Sequence, residues 1–152
     1  MIPDLQDGVL PEGIYPCTIE EVEAKFGKFQ RSDCRPHLTQ KLKQYIADAC
    51  VSDMAVAVII DGSYITKKAE PGDIDLLLVL RADFDLTLEL RPFEYNLQSK
   101  RRVKKLYSFD ILVALDGSEA YEQYVTLFAN IRKDDPEQET SQSRKGLLRI
   151  AL

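Results

Sequence analysis

Asp73-Ile74-Asp75 places two carboxylates two residues apart at the head of an apolar run that ends at Leu80. Side chains along a strand alternate between faces, so Asp73 and Asp75 project to one side and Ile74 to the other. Two anions held together beside a buried strand repel each other and lose hydration. Raised pKa values, cationic partners or a bound metal relieve them. Carboxylate oxygens suit Mg²⁺ (or Mn²⁺), a hard ion that keeps several waters for substrate phosphates to replace. Asp110 offers a third acid: it stands in Phe109-Asp110-Ile111, between apolar neighbours, where a solvated surface Asp is unusual.

Gly62-Ser63 follows the apolar run Met54–Ile60, and nine residues separate Ser63 from Asp73. Glycine lets a backbone approach a phosphate closely, and the amides of the next segment, with the Ser63 hydroxyl, can donate to its oxygens. Lys67 and Lys68, in the loop between, can neutralise phosphate charge, although a lysine pair in a polar loop is as often simply solvated. Lys100-Arg101-Arg102 with Lys104-Lys105 is the densest basic cluster; on an amphipathic helix such a run is more often an exposed face than a polyanion site. His37, behind Pro36 at a helix start, has no acidic or cysteine partner in sequence and reads as a surface or capping residue.

The elements that must position these residues follow from periodicity. Residues 1–17, rich in Pro and Gly, read as an extended, turn-rich lead. Thr18 and Glu21 form a capping box for a helix to about Phe26, stopped at Gly27. A second helix from about Pro36 to Cys50 carries Leu38, Leu42, Tyr45, Ile46 and Ala49 on one core face. Met54–Ile60, Ile74–Leu80 and Ser108–Leu115 read as strands, with one helical stretch from about Glu94 to Lys105 between the last two. A helix over 119–133 precedes a polar linker and a short terminal strand, Leu147–Ala151. The expectation is a single α/β (α+β) domain over 1–152, with a mixed sheet flanked by helices, its core over about 36–133 and the linker and terminal strand over 134–152.

Composition agrees with one domain. At 152 residues and 45% hydrophobic content, the chain can build a core without a disulfide staple. A formal net charge of -5 supplies no global attraction to nucleic acid or anionic lipid, so any nucleic-acid site has to be local. Cys17, Cys34 and Cys50 match neither a paired disulfide framework nor close zinc spacing, which suits reduced thiols in a cytosol. The first residues lack a basic, apolar leader, and no run approaches the ~20 apolar residues of a membrane span. A soluble, cytoplasmic protein without membrane contact is expected.

Gly-Ser at a strand end, a nine-residue spacer, Asp-x-Asp at the next strand's start and one more Asp on a later strand together resemble the nucleotidyltransferase superfamily, the polymerase-β-like fold. GSYITKKAEPGDIDLLLV is similar to the corresponding segment of minimal nucleotidyltransferases, and LPEGIYPCTIEEVEAKFG with the terminal KGLLRIAL is similar to small bacterial nucleotidyltransferase-like proteins of unassigned substrate. The resemblance is specific over about residues 54–115, and the spacer is at the short end of the family's range. It implies that Gly62 and Ser63 hold the triphosphate of an incoming nucleotide such as ATP, that Asp73 and Asp75 bind metal, and that Asp110 completes the acceptor-side metal. Paired metals then activate an acceptor hydroxyl and stabilise leaving pyrophosphate. The acceptor it implies is a side chain of a partner protein, as in bacterial toxin–antitoxin pairs, an RNA end or a small molecule. The alternative is a non-catalytic nucleotide-binding or interaction protein of the same fold.

Overall fold

The computed structural model describes residues 1–27, 33–72, 74–131 and 143–152. Strands and helices follow along them in the order β1 (Ile14–Cys17), α1 (Ile19–Phe26), α2 (Cys34–Ser52), β2 (Ala55–Asp61), β3 (Asp75–Leu80), α3 (Pro92–Gln98), α4 (Lys100–Tyr107), β4 (Asp110–Leu115), α5 (Glu119–Ala129) and β5 (Leu147–Ala151). The strands form one mixed sheet in the order β1-β5-β2-β3-β4, so the fold is mixed α/β as the periodicity implied. β1 runs parallel to β5 and β3 parallel to β4, while β2 is antiparallel to both its neighbours.

Alternation along the strands divides the core into two layers. Val58 and Ile60 of β2, with Leu76, Leu78 and Leu80 of β3, join Val22, Phe26, Leu42, Tyr45, Leu97 and Val103 from the first four helices. Ala57, Ile59, Leu77 and Val79 face the other way, onto Phe128 and Ala129 of α5. β2 and β3 are thus covered on both sides, which is why their sequences are continuously apolar rather than alternating. Each fully buried Leu, Ile or Val contributes about 1.5–3 kcal/mol.

α1 begins as expected: Thr18 Oγ1 accepts from the Glu21 N–H at 3.2 Å and Glu21 Oε2 from the Thr18 N–H at 2.9 Å. Gly27 ends the helix in a right-handed conformation, so its role there owes nothing to left-handed freedom. The five residues placed on the core face of α2 are all buried. Two expectations need correction. Residues 14–17 are not merely an extended lead; they pair with β5 as an edge strand. The helical stretch read as continuous is broken at Ser99, whose ψ of 124° is extended, and whose hydroxyl then caps α4 by accepting from the Arg102 N–H. Most of the polar linker, residues 134–142, lies outside the described residues. Among the described residues, no helix is long and apolar enough to cross a membrane.

Candidate functional site

Strand register brings three carboxylates into one row. Asp61, the last residue of β2, pairs with Asp75, the first of β3, and Asp75 pairs with Asp110, the first of β4. Register partners point to the same side of a sheet, and neighbouring strands are spaced about 4.7–4.9 Å apart. Counting back from Ile59, Leu77 and Ala114, that side is the one covered by α5. An open cleft of about 230 Å³ lies there, lined by Asp75, Lys100, Asp110, Ile111, Leu112 and Phe128. That volume holds a hydrated ion and a few small polar groups. A larger cleft of about 690 Å³ runs between α1 and α2, lined by Glu23, Thr39 and Lys43 among others, remote in sequence from all three carboxylates.

Asp73 lies outside the described residues. Asp75 is half-buried at the strand's head. Asp110 departs from expectation: its side chain is 55% exposed and its Oδ1 lies 3.5 Å from Lys104 Nζ. The apolar neighbours suggested enclosure, but β4 is the last strand of the sheet and Asp110 opens it, so water reaches the carboxylate. Among the described residues, no group of three or more His, Cys, Asp or Glu side chains is arranged to hold a metal ion. Asp75 and Asp110 do offer two hard oxygen donors on adjacent strands at one cleft, a donor set that fits Mg²⁺ or Mn²⁺ with waters or phosphate oxygens completing the shell.

Gly62 and Ser63 start the loop one residue beyond Asp61, beside the head of β3. Gly62 has φ 98° and ψ 179°, a region open essentially only to glycine. A single 3-10 turn, Ser63–Ile65, follows, closed by Thr66, whose N–H and Oγ1 both donate to the Ser63 carbonyl. The Ser63 hydroxyl has no hydrogen bond among the described residues. Lys67 and Lys68 do not line the cleft. The Lys67 N–H donates to the Gly8 carbonyl at 3.0 Å and the lysine stem lies across Gly8, so this lysine covers the N-terminal lead.

Three residues outside the sequence motif shape the site. Arg35, in the first turn of α2, is wholly buried and donates to the carbonyls of Phe26, Tyr64, Thr66 and Lys68 at 2.5–3.0 Å. It fastens the loop after Gly62-Ser63 to α1 and α2. Burial pulls its guanidinium below the ordinary arginine value, opposed by the Tyr64 hydroxyl. An arginine facing inward among the apolar positions of α2 was the available signal. The other two are Asp61 and Lys145, whose Oδ1 and Nζ are 2.9 Å apart with side chains 7% and 9% exposed. That contact lacks hydrogen-bond geometry, so Asp61 Oδ1 is a buried oxygen with no hydrogen-bond partner among the described residues. No local pattern flags either member, because they meet only once β5 lies beside β2. The basic cluster of α4 is largely exposed, as expected, but Lys100 reaches the cleft and Lys104 its outer carboxylate.

The thiols take no part in the row of acids. No disulfide joins Cys17, Cys34 and Cys50; the Cys34 thiol donates to the Pro71 carbonyl at 2.9 Å, and burial, reinforced by Glu21, pushes the Cys17 thiol up to about 11. No curated protein and no solved structure matches this chain. A family model does, over residues 3–151, and the chain belongs to that family, a family of unknown function (DUF6932).

Proposed function

We propose that this protein transfers a nucleotidyl group from a nucleoside triphosphate to an acceptor hydroxyl, with Mg²⁺ or Mn²⁺. The observation that carries the reading is the pairing of Asp75 with Asp110 at an open cleft, in a row that Asp61, the residue before Gly62-Ser63, extends along the sheet. When bound, the divalent ion neutralises charge on the phosphates and lowers the pKa of a coordinated hydroxyl. Asp75 and Asp110 would hold it; Asp73, the further ligand that the Asp-x-Asp spacing implies, lies outside the described residues. The amides after Gly62 and the Ser63 hydroxyl orient the triphosphate. The acceptor oxygen attacks the α-phosphorus and forms the new P–O bond. The bond from that phosphorus to its bridging oxygen breaks, and pyrophosphate leaves with the electron pair. Asp110, solvated and on the outer strand, takes the hydroxyl proton or passes it to water.

Label in the α-phosphate tests this. Purified protein with Mg²⁺ and each α-labelled triphosphate, with and without cell extract, should transfer label, and a γ-labelled triphosphate should not. Asp110→Asn should bind the triphosphate within a few-fold of wild type yet lose transfer, because the acceptor-side contribution is made in the transition state. Transfer of γ-label, or undiminished turnover in Asp110→Asn, overturns the reading. One observation favours a second reading, a nucleotide-binding protein without catalysis: Lys104 Nζ lies 3.5 Å from Asp110 Oδ1, a resident cation at the acid assigned to the acceptor side. Tight triphosphate binding with no α-label transferred in any extract selects that reading.

A further inference from the structure

We infer that a second copy of this chain covers the loop between β3 and α3, as a two-fold dimer in which the acidic cleft of that loop takes the basic outer face of α4 from its partner. Residues 83–91, DFDLTLELR, alternate polar and apolar side chains over their whole length, the pattern of a half-buried strand. They pair with no strand among the described residues. Two turns shape them instead, closed by the Phe84 N–H on the Arg81 carbonyl and the Leu88 N–H on the Asp85 carbonyl. Only part of the apolar set finds cover within the protomer. Phe84 packs against the core, whereas Leu86 and Leu88 are 62% and 67% exposed. Phe93 and Tyr95, at the start of α3, are exposed as well. Apolar side chains gathered inside a polar rim in this way mark a surface that another protein covers.

Charge selects the partner. A cleft of about 430 Å³ opens along the loop, where Asp83, Asp85, Glu89 and Glu94 outnumber two arginines and Leu88 and Leu90 add apolar lining. Asp85 is held by Thr87 and Glu94 by Arg91, but the side chains of Asp83 and Glu89 have no hydrogen bond or ion pair among the described residues. An acidic rim over apolar lining fits a long aliphatic stem that ends in a cation. α4 offers that chemistry, with five bases and no acid over 100–105. Lys100 and Lys104 turn toward the Asp75–Asp110 cleft. Arg101 and Lys105 stand one turn apart on the other side, away from buried Val103 and Tyr107, exposed and without an ion pair among the described residues. α3 joins the loop to α4 and packs against it, so each protomer carries both halves of the contact within residues 81–107. That span supplies the roughly 20–30 residues a side of a standard interface, and a two-fold axis uses each half twice. None of the carboxylates of the row takes part, so the dimer stands or falls apart from the nucleotidyl-transfer reading.

Sedimentation equilibrium across a dilution series tests this. Wild type should dimerise, more weakly as salt rises. Leu86→Ser should weaken the dimer by about a hundredfold, since a two-fold interface loses each side chain twice. Asp83→Lys with Glu89→Lys reverses the cleft, and Arg101→Glu with Lys105→Glu reverses the helix; each of these two proteins should be monomeric, because like charges then face each other. Mixed in equal amounts, the two should associate, since each loop then meets a helix of opposite sign. Thermal melts at dilutions where wild type is itself monomeric read the fold alone and show that each variant is folded. Should Leu86→Ser not fold, the charge variants, all at exposed positions, carry the same test. Wild type still monomeric at about 1 mM overturns the inference. So does a dimer that survives either charge reversal or Leu86→Ser, and so do reversed proteins that stay apart when mixed.

Discussion

Arg35→Met should destabilise the protein more than any single surface change, and the structure sets the size of the effect. The guanidinium donates to four carbonyls, three of them in the loop that follows Gly62-Ser63. Charge-assisted hydrogen bonds contribute about 1.5–3 kcal/mol each, which bounds the gross loss at about 6–12 kcal/mol. Removing a buried cation also recovers its desolvation penalty, and the carbonyls find water once the loop loosens, so the net loss should be about 3–5 kcal/mol. At about 2–4 °C per kcal/mol for a chain of this size, the melting temperature should fall by about 6–20 °C. Arg35→Lys keeps the charge, but one nitrogen with three donors cannot serve four carbonyls reached from two guanidinium nitrogens, so less than half the loss should be recovered. Urea unfolding of the three proteins measures this, read from midpoints at constant slope. Hydrogen exchange should show the extra opening concentrated in 62–68. Arg35→Met within 1 kcal/mol of wild type on the scale of a single net hydrogen bond, or Arg35→Lys indistinguishable from wild type, refutes the account of Arg35 as the clamp of this loop.

Gly62→Ala should cost about 1–3 kcal/mol from its backbone conformation alone, and should weaken triphosphate binding by calorimetry more than Ser63→Ala does; equal, negligible effects make Gly62-Ser63 an ordinary turn. Arg101→Glu should stabilise the fold by about 0.3–1 kcal/mol, because α4 has no acid in its first turn and places cations at the positive end of its dipole; a lower melting temperature contradicts this. Stability should fall above pH 9: the folded state holds the Cys17 proton from the ordinary 9.0 up to about 11, and burial also raises Tyr45, Tyr64 and Tyr107, so the unfolded chain loses protons first. Urea midpoints from pH 8 to 10.5 that decline less steeply in Cys17→Ala than in wild type assign that thiol its share, with the tyrosines accounting for what remains, whereas a flat wild-type profile removes the effect.

What was legible in the sequence was local. β2 and β3 announce themselves as apolar runs because both faces are covered, and α1 because Thr18 and Glu21 stand at capping distance. β1 was hidden by its Pro16, which argues against a strand; at a sheet edge only one side of the strand is paired, so the missing N–H costs no ladder bond. Ser99 was hidden because apolar spacing continues across it, from Leu97 to Val103 and Tyr107, all buried, although the backbone turns between them. The row of acids was half legible for a deeper reason. Asp75 and Asp110 drew notice through their own surroundings, but Asp61 joins them only through two pairings of opposite sense, β2 against β3 and β3 along β4. Register is non-local, and a slip of one residue turns every side chain of a strand to the other face. The same slip in β4 would swing Asp110 off the α5 side and bring Ile111 into the row, ending the site without altering a single residue of the Gly-Ser or Asp-x-Asp motifs. What holds that register is apolar: Ile111 and Ala114 each sit buried in a different core layer, so β4 cannot slip without exposing one set and burying charge in its place. The chemistry of the row therefore depends on hydrophobic residues that carry none of it.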